Sequence, residues 1–303
     1  GLVSFRNHLI PSEPFFLQEQ SKNHATIVCL KCSNYVSQSK WKTPLAIAVF
    51  GKPGTGKSFF VKEALNGISK CFFSKKLEFN LSQWRNASDI ARSFHLIQDS
   101  HLDDEIPIAF FDEFDCTISG RELGWIAQFL MPIQDGLYVE GSEAFHVGKS
   151  VFVFAGGTAH SYSEFANKYK ERREAKVPDF LSRLRAFVDV QDTNLKVQRG
   201  RVTYSHANRL SLMRRAIVFR SLLKRHLPQI FDQGSDFARI DSSVTDAFLW
   251  VPEFKHGVRS IEAIIQMSKI SQKGTSFQTS ALPTVDQLDL HVDPKKFFAI
   301  LSQ

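Results

Sequence analysis

The sequence predicts an α/β fold: a parallel sheet with helices on both faces, followed by a smaller all-helical region. Three observations predict it. Short apolar runs of strand length alternate with segments of helical spacing as far as residue 200, the alternation that buries a parallel sheet between helices. The first run, LAIAVF (45–50), ends at a glycine-rich turn that leads straight into a helical segment. Beyond residue 200 the strand pattern stops and only helical periodicity continues.

The elements follow in order. Residues 1–40 read as an irregular Pro- and Ser-rich arm and then a helix; 41–200 form the α/β domain, and 201–303 a helical lid with a C-terminal tail. After the strand 45–50, SFFVKEALNGI (58–68) has helical spacing and KKLEFNL (75–81) reads as a second strand. Ser88 and Asp89 cap a helix carrying Ile90, Ala91, Phe94 and Ile97. IPIAFFDEFD (106–115) is a buried strand ending in acids, and GWIAQFLMPIQDG (124–136) is a helix stopped by Gly136. Residues 137–150 form either a hairpin turning at Gly141-Ser142 or a plain loop. VFVFAGG (151–157) and AFVDVQD (186–192) complete the strands, and 205–227, 242–251 and 259–270 are helices. A linker-like stretch occupies 272–283. Most of the 28 Phe fall in apolar periodic segments and so belong to the core.

Composition narrows the class. A chain of 303 residues, 43% hydrophobic and 23% charged, has globular proportions. No apolar run approaches the ~20 residues of a membrane helix, and the first residues lack the basic flank and apolar core of a secretory signal. Gly1 in place of Met points to a processed end, a tag remnant or a piece of a longer chain. Cys29 and Cys32 make a CxxC with no second ligand pair at zinc spacing, so Cys29, Cys32, Cys71 and Cys116 read as reduced thiols of a cytoplasmic protein. The net charge of +7 suits an anionic partner, a nucleotide included, and does not by itself imply nucleic acid.

Two motifs carry the chemistry. Gly51-Lys52-Pro53-Gly54-Thr55-Gly56-Lys57-Ser58 fits G-x-x-x-x-G-K-[ST] in full, between a strand and a helix. The glycines let the backbone aim N–H groups into a concave anion site, and the helix N-terminus adds positive charge. Lys57 then reaches the β- and γ-phosphates of ATP, and Ser58 supplies a hydroxyl to Mg²⁺. Asp112 and Glu113 end the next buried strand, at the sheet edge where ligands of open parallel sheets bind. Asp112 holds Mg²⁺, directly or through water, and Glu113 orients and deprotonates the attacking water. Asp115 is a helix cap or local ion-pair partner, or else assists catalysis.

GKPGTGKS followed by AFFDEFD resembles the Walker A and Walker B pair of AAA+ ATPases. The resemblance covers roughly residues 41–270 and implies three further roles. Thr158, closing VFVFAGGT, matches the polar sensor-1 residue that holds the attacking water; a simple turn threonine is the bland alternative. In VPDFLSRLRAF (177–187), similar to the arginine-finger stretch of Clp-like unfoldases, Arg183 matches the finger, with Arg185 as fallback. In FKHGVRSIEAII (254–265), similar to the sensor-2 element of the lid, Arg259 matches the residue that reaches the γ-phosphate. The family's sites are completed by a neighbouring subunit, so the resemblance implies a homo-oligomeric ring, most often a hexamer.

The function so implied is Mg-ATP hydrolysis by a ring-forming motor or remodeller of a macromolecule, protein favoured over nucleic acid. A nucleotide-gated switch or assembly scaffold with slow turnover is the alternative, and a nucleic-acid remodelling ATPase a further one. A small-molecule kinase is disfavoured by the lid-like element. Trp84, where family unfoldases carry a pore loop, either lines a pore or packs onto the core. The basic stretch 168–176 and Arg214, Arg215, Arg220, Lys224 and Arg225 read as solvated helix faces, with nucleic-acid binding as the sharper alternative.

Overall fold

The computed structural model describes residues 2–3, 31–35, 37–38, 42–61, 76–103, 106–171, 176–232, 237–270 and 276–302. They belong to two compact units. One comprises Glu19–Lys52 and Lys57–Gln191; the other comprises Gly1–Gln18, Pro53–Gly56 and Asp192–Gln303.

The first unit is built on a five-stranded sheet of β1 (Leu45–Phe50), β2 (Lys76–Asn80), β3 (Ile108–Asp112), β4 (Val151–Ala155) and β5 (Ala186–Asp189). The strand order is β5-β1-β4-β3-β2 and every pairing is parallel. β1 and β4 are buried along their whole length, as continuous apolar runs covered on both faces must be. Alternation then assigns each residue to a face. Ala46, Ala48, Phe50, Phe111, Phe152 and Phe154 pack with the helices α1 (Ala87–Asp99), α2 (Ile126–Asp135), α3 (Tyr162–Lys168) and α4 (Val177–Arg183). Ile47, Val49, Ile108, Val151, Val153 and Val188 face the other way, toward Cys32 and Tyr35 of a helical stretch at 31–35 and Val61 of the helix that begins at 57. The parallel sheet with helices on both faces is therefore as the sequence predicts.

Local chemistry sets the ends of these helices. α1 is capped by Asn86, not by Ser88 and Asp89 themselves. The Asn86 side chain accepts from Ser88 N–H (2.9 Å), while Asp89 reaches back to the Asn86 N–H (3.2 Å), closing a capping box. α2 stops at Gly136, whose φ of 69° is the left-handed conformation a glycine adopts without strain. Residues 137–146 form the hairpin, with Leu137–Glu140 paired to Glu143–His146. Trp84 packs onto the core, its ring stacked on Phe129 at 6.3 Å and edge-on to Trp125 at 5.8 Å.

The second unit holds α5 (His206–His226), α6 (Ser242–Trp250), α7 (Val258–Met267), α8 (Val285–Asp289) and α9 (Pro294–Leu301). Phe219 stacks on Phe248 at 4.3 Å, and Ile261, Ile264, Phe277 and Phe297 are buried in the same unit. A short hairpin, Val197–Gln198 with Arg201–Val202, precedes α5, and Leu2–Val3 pairs antiparallel with Ala238–Arg239. Arg215 of α5 is fully buried. Its guanidinium donates to the carbonyls of Thr193 (2.7 Å), Leu249 (2.9 Å), Val251 and Pro252 (3.1 Å), and lies 4.9 Å from the Phe254 ring. It thus caps the carbonyl end of α6, where unpaired oxygens and the helix dipole favour a cation. Among the described residues no helix is long and apolar enough to cross a membrane. Cys32 is buried and Cys116 half-buried, while Cys29 and Cys71 lie outside the described residues, as do 172–175 of the basic stretch.

Candidate nucleotide site

The glycine-rich turn follows the carboxyl end of β1 and leads into the helix beginning at 57. Gly54 and Gly56 have φ of 80° and 79°, so the turn depends on glycine at both. The Lys57 ammonium lies back across the loop, donating to the carbonyls of Gly51 (2.8 Å) and Lys52 (3.2 Å). Thr55 is buried, whereas Lys52 and Pro53 are exposed. Ser58 is the second residue of the helix and half-buried. These residues are of the kind a nucleotide's phosphates take: the chain order brings backbone N–H groups, one ammonium and a helix N-terminus together along one turn.

Asp112 is the last residue of β3, and its carboxylate accepts the Glu113 N–H at 3.1 Å. Glu113 is exposed, with φ of 53°. Left-handed backbone outside glycine costs about 1–2 kcal/mol and gathers at functional sites. The following turn holds it there, with Cys116 N–H donating to the Glu113 carbonyl at 3.0 Å. The hard oxygen donors of Asp112 and Ser58 are of the kind Mg²⁺ takes alongside phosphate oxygens.

Asp115 is almost fully buried and ties two loops together. Its carboxylate accepts from Gly157 N–H (3.0 Å), Thr158 N–H (2.8 Å) and the Thr158 hydroxyl (2.5 Å). The Thr158 hydroxyl therefore spends its proton on Asp115 and offers only lone pairs to a further partner. Burial and the Asp115 charge push the Cys116 thiol up to about 11.

Arg183 lies at the other edge of the same sheet. It ends α4, just before β5, and Arg185 N–H bonds the Ala46 carbonyl near the start of β1 (2.9 Å). Its guanidinium bonds Gln134 of α2 (Nε at 2.9 Å) and the Asp179 carbonyl (2.6 Å). Both lie beside a cavity of about 600 Å³ that Tyr35, Thr43 and Arg185 also line. Asp112 and Glu113 sit at the carboxyl edge of the sheet, Arg183 and Arg185 at the amino edge, and the structure does not bring them together. Arg259 is the second residue of α7, exposed, next to Val258, whose N–H donates to the Gly54 carbonyl at 2.8 Å.

The basic helix face is corrected in part. Arg215 is buried, Arg214 donates to the Thr55 carbonyl (2.7 Å), Lys224 lies over the Phe231 ring (5.6 Å) and Arg225 approaches Glu262 (3.8 Å). Sequence reasoning missed Arg214 because arginines were assigned to the solvent side. The usable signal was their place beside Val218, Phe219 and Leu222 on an apolar stripe.

Residues 47–178 match the family described as ATPase family associated with various cellular activities (AAA). The fold is similar to that of the ORC2 protein of Aeropyrum pernix in its ADPNP–ADP complexes, at 13% identity and a TM-score of 0.51, covering 99% of this chain and 72% of that one. The ADP form of that protein gives 11% identity and a TM-score of 0.48, covering 100% and 73%. No curated protein matches the chain.

Proposed function

We propose, for a chain that is an AAA+ P-loop ATPase, that it works as a homo-oligomer whose ATP sites are each completed by Arg183 of the adjacent copy, and that turnover remodels or switches a macromolecular partner. One observation carries this reading: Arg183 and the Asp112–Glu113 pair of one chain occupy opposite edges of one sheet, so Arg183 serves a site only in another copy. Head-to-tail contacts of that kind give a ring where the rotation closes and a filament where it does not.

The chemistry follows from the side chains. Glu113 accepts a proton from water, and the water oxygen bonds the γ-phosphorus as the bond to the β,γ-bridging oxygen breaks. Thr158, its proton held by Asp115, accepts a hydrogen bond from that water. Lys57 and Arg183 stabilise negative charge spreading over the phosphoryl oxygens, and Arg259 is assigned to the γ-phosphate by its resemblance to the sensor-2 residue. Ser58 and Asp112 would hold Mg²⁺, which would supply further charge neutralisation. Lys57→Ala then abolishes ATP binding, while Glu113→Gln keeps binding and loses hydrolysis. Equal loss of binding in both variants, measured calorimetrically, overturns the division of labour.

A second reading concerns the partner. Lys196, Arg199 and Arg201 of the hairpin before α5 are exposed, and Tyr204 beside them is 86% exposed. Cations next to an unburied ring favour a nucleic-acid backbone over a protein. Salt-sensitive stimulation of turnover by single-stranded DNA, lost in Arg199→Ala/Arg201→Ala, decides for it; stimulation by an unfolded protein alone decides against.

A further inference from the structure

The tip of the glycine-rich turn, Pro53–Gly56, belongs to the same compact unit as the helical region. Two hydrogen bonds fasten it there: Val258 N–H to the Gly54 carbonyl (2.8 Å) and the Arg214 guanidinium to the Thr55 carbonyl (2.7 Å). Between Gly54 and His256–Val258 the contact is backbone on backbone. A Cβ on Gly54 would meet the His256 carbonyl oxygen at 2.3 Å, and one on Gly257 would meet the Gly54 oxygen at 2.5 Å. A trans peptide is planar, with its N–H directed opposite its C=O. Holding the Gly54 carbonyl therefore turns the Thr55 N–H away from α7, and holding the Thr55 carbonyl turns the Gly56 N–H away from α5. Those N–H groups are among the donors such a loop aims at phosphate.

We infer that Arg214 is a positioning residue for nucleotide phosphate: by holding the Thr55 carbonyl it aims the Gly56 N–H at the anion, so that phosphate affinity depends on a side chain of the helical region. The inference rests on the ATP-site reading above and deepens it. Arg214 is well placed for the role. Its neighbour Arg215 is locked to four carbonyls, so α5 cannot turn about its axis without breaking them. Burial lowers the Arg214 pKa to about 10, which still leaves a full charge at neutral pH.

Calorimetric binding of ADP, ATP and adenosine to the parent, Arg214→Ala, Arg214→Lys and Lys57→Ala tests it. Arg214→Ala is expected to bind ADP and ATP about 10-fold more weakly, as loss of one charge-assisted hydrogen bond implies, with adenosine affinity unchanged. Its loss in kcat/KM falls mainly on KM, and Arg214→Lys, which restores one donor, recovers part of the affinity. Parent-like ADP affinity in Arg214→Ala, or equal weakening toward adenosine and ADP, overturns the inference. Should Arg214→Ala not fold, Arg214→Lys against the parent gives the same comparison. Lys57→Ala separates the two ideas. If it binds ADP as the parent does, the ATP-site reading itself fails; if it loses ADP while Arg214→Ala does not, only the role of Arg214 fails.

Discussion

Arg183→Ala gives the sharpest test of a site shared between copies. β1 has six residues, and at roughly 3.3 Å per residue the edges of the sheet lie about 20 Å apart, beyond the reach of any side chain. Arg183 cannot act on its own chain's phosphates, so its loss is felt by a neighbour. Removing a finger costs about 10³–10⁵ in rate, so Arg183→Ala is expected to bind ATP normally and turn over at least about 10³-fold more slowly. The fold is expected to survive, because the guanidinium's bonds to Gln134 and the Asp179 carbonyl are solvent-exposed and the half-exposed Asp179 carboxylate at 3.8 Å adds under about 1 kcal/mol. Lys57→Ala is equally inactive for a different reason. In a random equimolar mixture, about a quarter of head-to-tail interfaces join the intact P-loop of an Arg183→Ala chain to the intact finger of a Lys57→Ala chain. Steady-state phosphate release should return to about that fraction of parent activity. If the two proteins co-assemble by native mass spectrometry and no activity returns, Arg183 is not the finger, and Arg185→Ala is the variant to mix next.

Other expectations are more local. Arg215→Met leaves four carbonyls around an apolar side chain and should destabilise the protein by at least about 3 kcal/mol, read as a lowered urea midpoint; a shift under about 1 kcal/mol would show those carbonyls to be solvated. Arg259→Ala should weaken ATP-dependent assembly, followed by light scattering, more than it weakens ADP binding; parent-like assembly refutes the coupling. Cys116, with its pKa pushed up to about 11, stays a thiol at pH 8 and should react with iodoacetamide far more slowly than glutathione does; equal rates refute the burial argument.

What was legible in the sequence is what a short window encodes. Leu45–Phe50 and Val151–Ala155 are continuous apolar runs, and the structure pairs them at the middle of the sheet, with Val151–Ala155 also pairing the acid-bearing β3. The turn at Gly51–Ser58 and the acids after Phe111 announce their chemistry by order alone. Less legible was anything decided by a partner distant in sequence. Asp115 and Thr158 lie 43 residues apart, and nothing near either says that the hydroxyl proton goes to that carboxylate. Arg214 and Arg215 look like surface charge until the carbonyls that bind them, from 55, 193, 249, 251 and 252, are in place. The cap of α1 was missed by two residues for the opposite reason: Asn86, Ser88 and Asp89 are all good caps, and only the closed Asn86–Asp89 box selects one.

The two faces of the sheet differ in kind, and this bears on how the chain finds its register. One face sets Phe50, Phe111, Phe152 and Phe154 among the rings of Phe114, Phe129, Phe165 and Phe180. The other is mostly aliphatic, with Ile47, Val49, Ile108, Val151, Val153 and Val188. A strand displaced by one residue exchanges its faces. Strand β4 would then push two phenyl rings into spaces sized for valine and leave valines in spaces sized for phenyl rings. Overpacking and cavities each cost a few kcal/mol. A parallel sheet closes its pairings late and over long loops, so such slips are a real hazard while it forms. Here side-chain volume, more than polarity, discards the misaligned sheet: both faces are greasy, but the rings crowd one of them, while the other buries Tyr35 and Phe110 among aliphatic side chains.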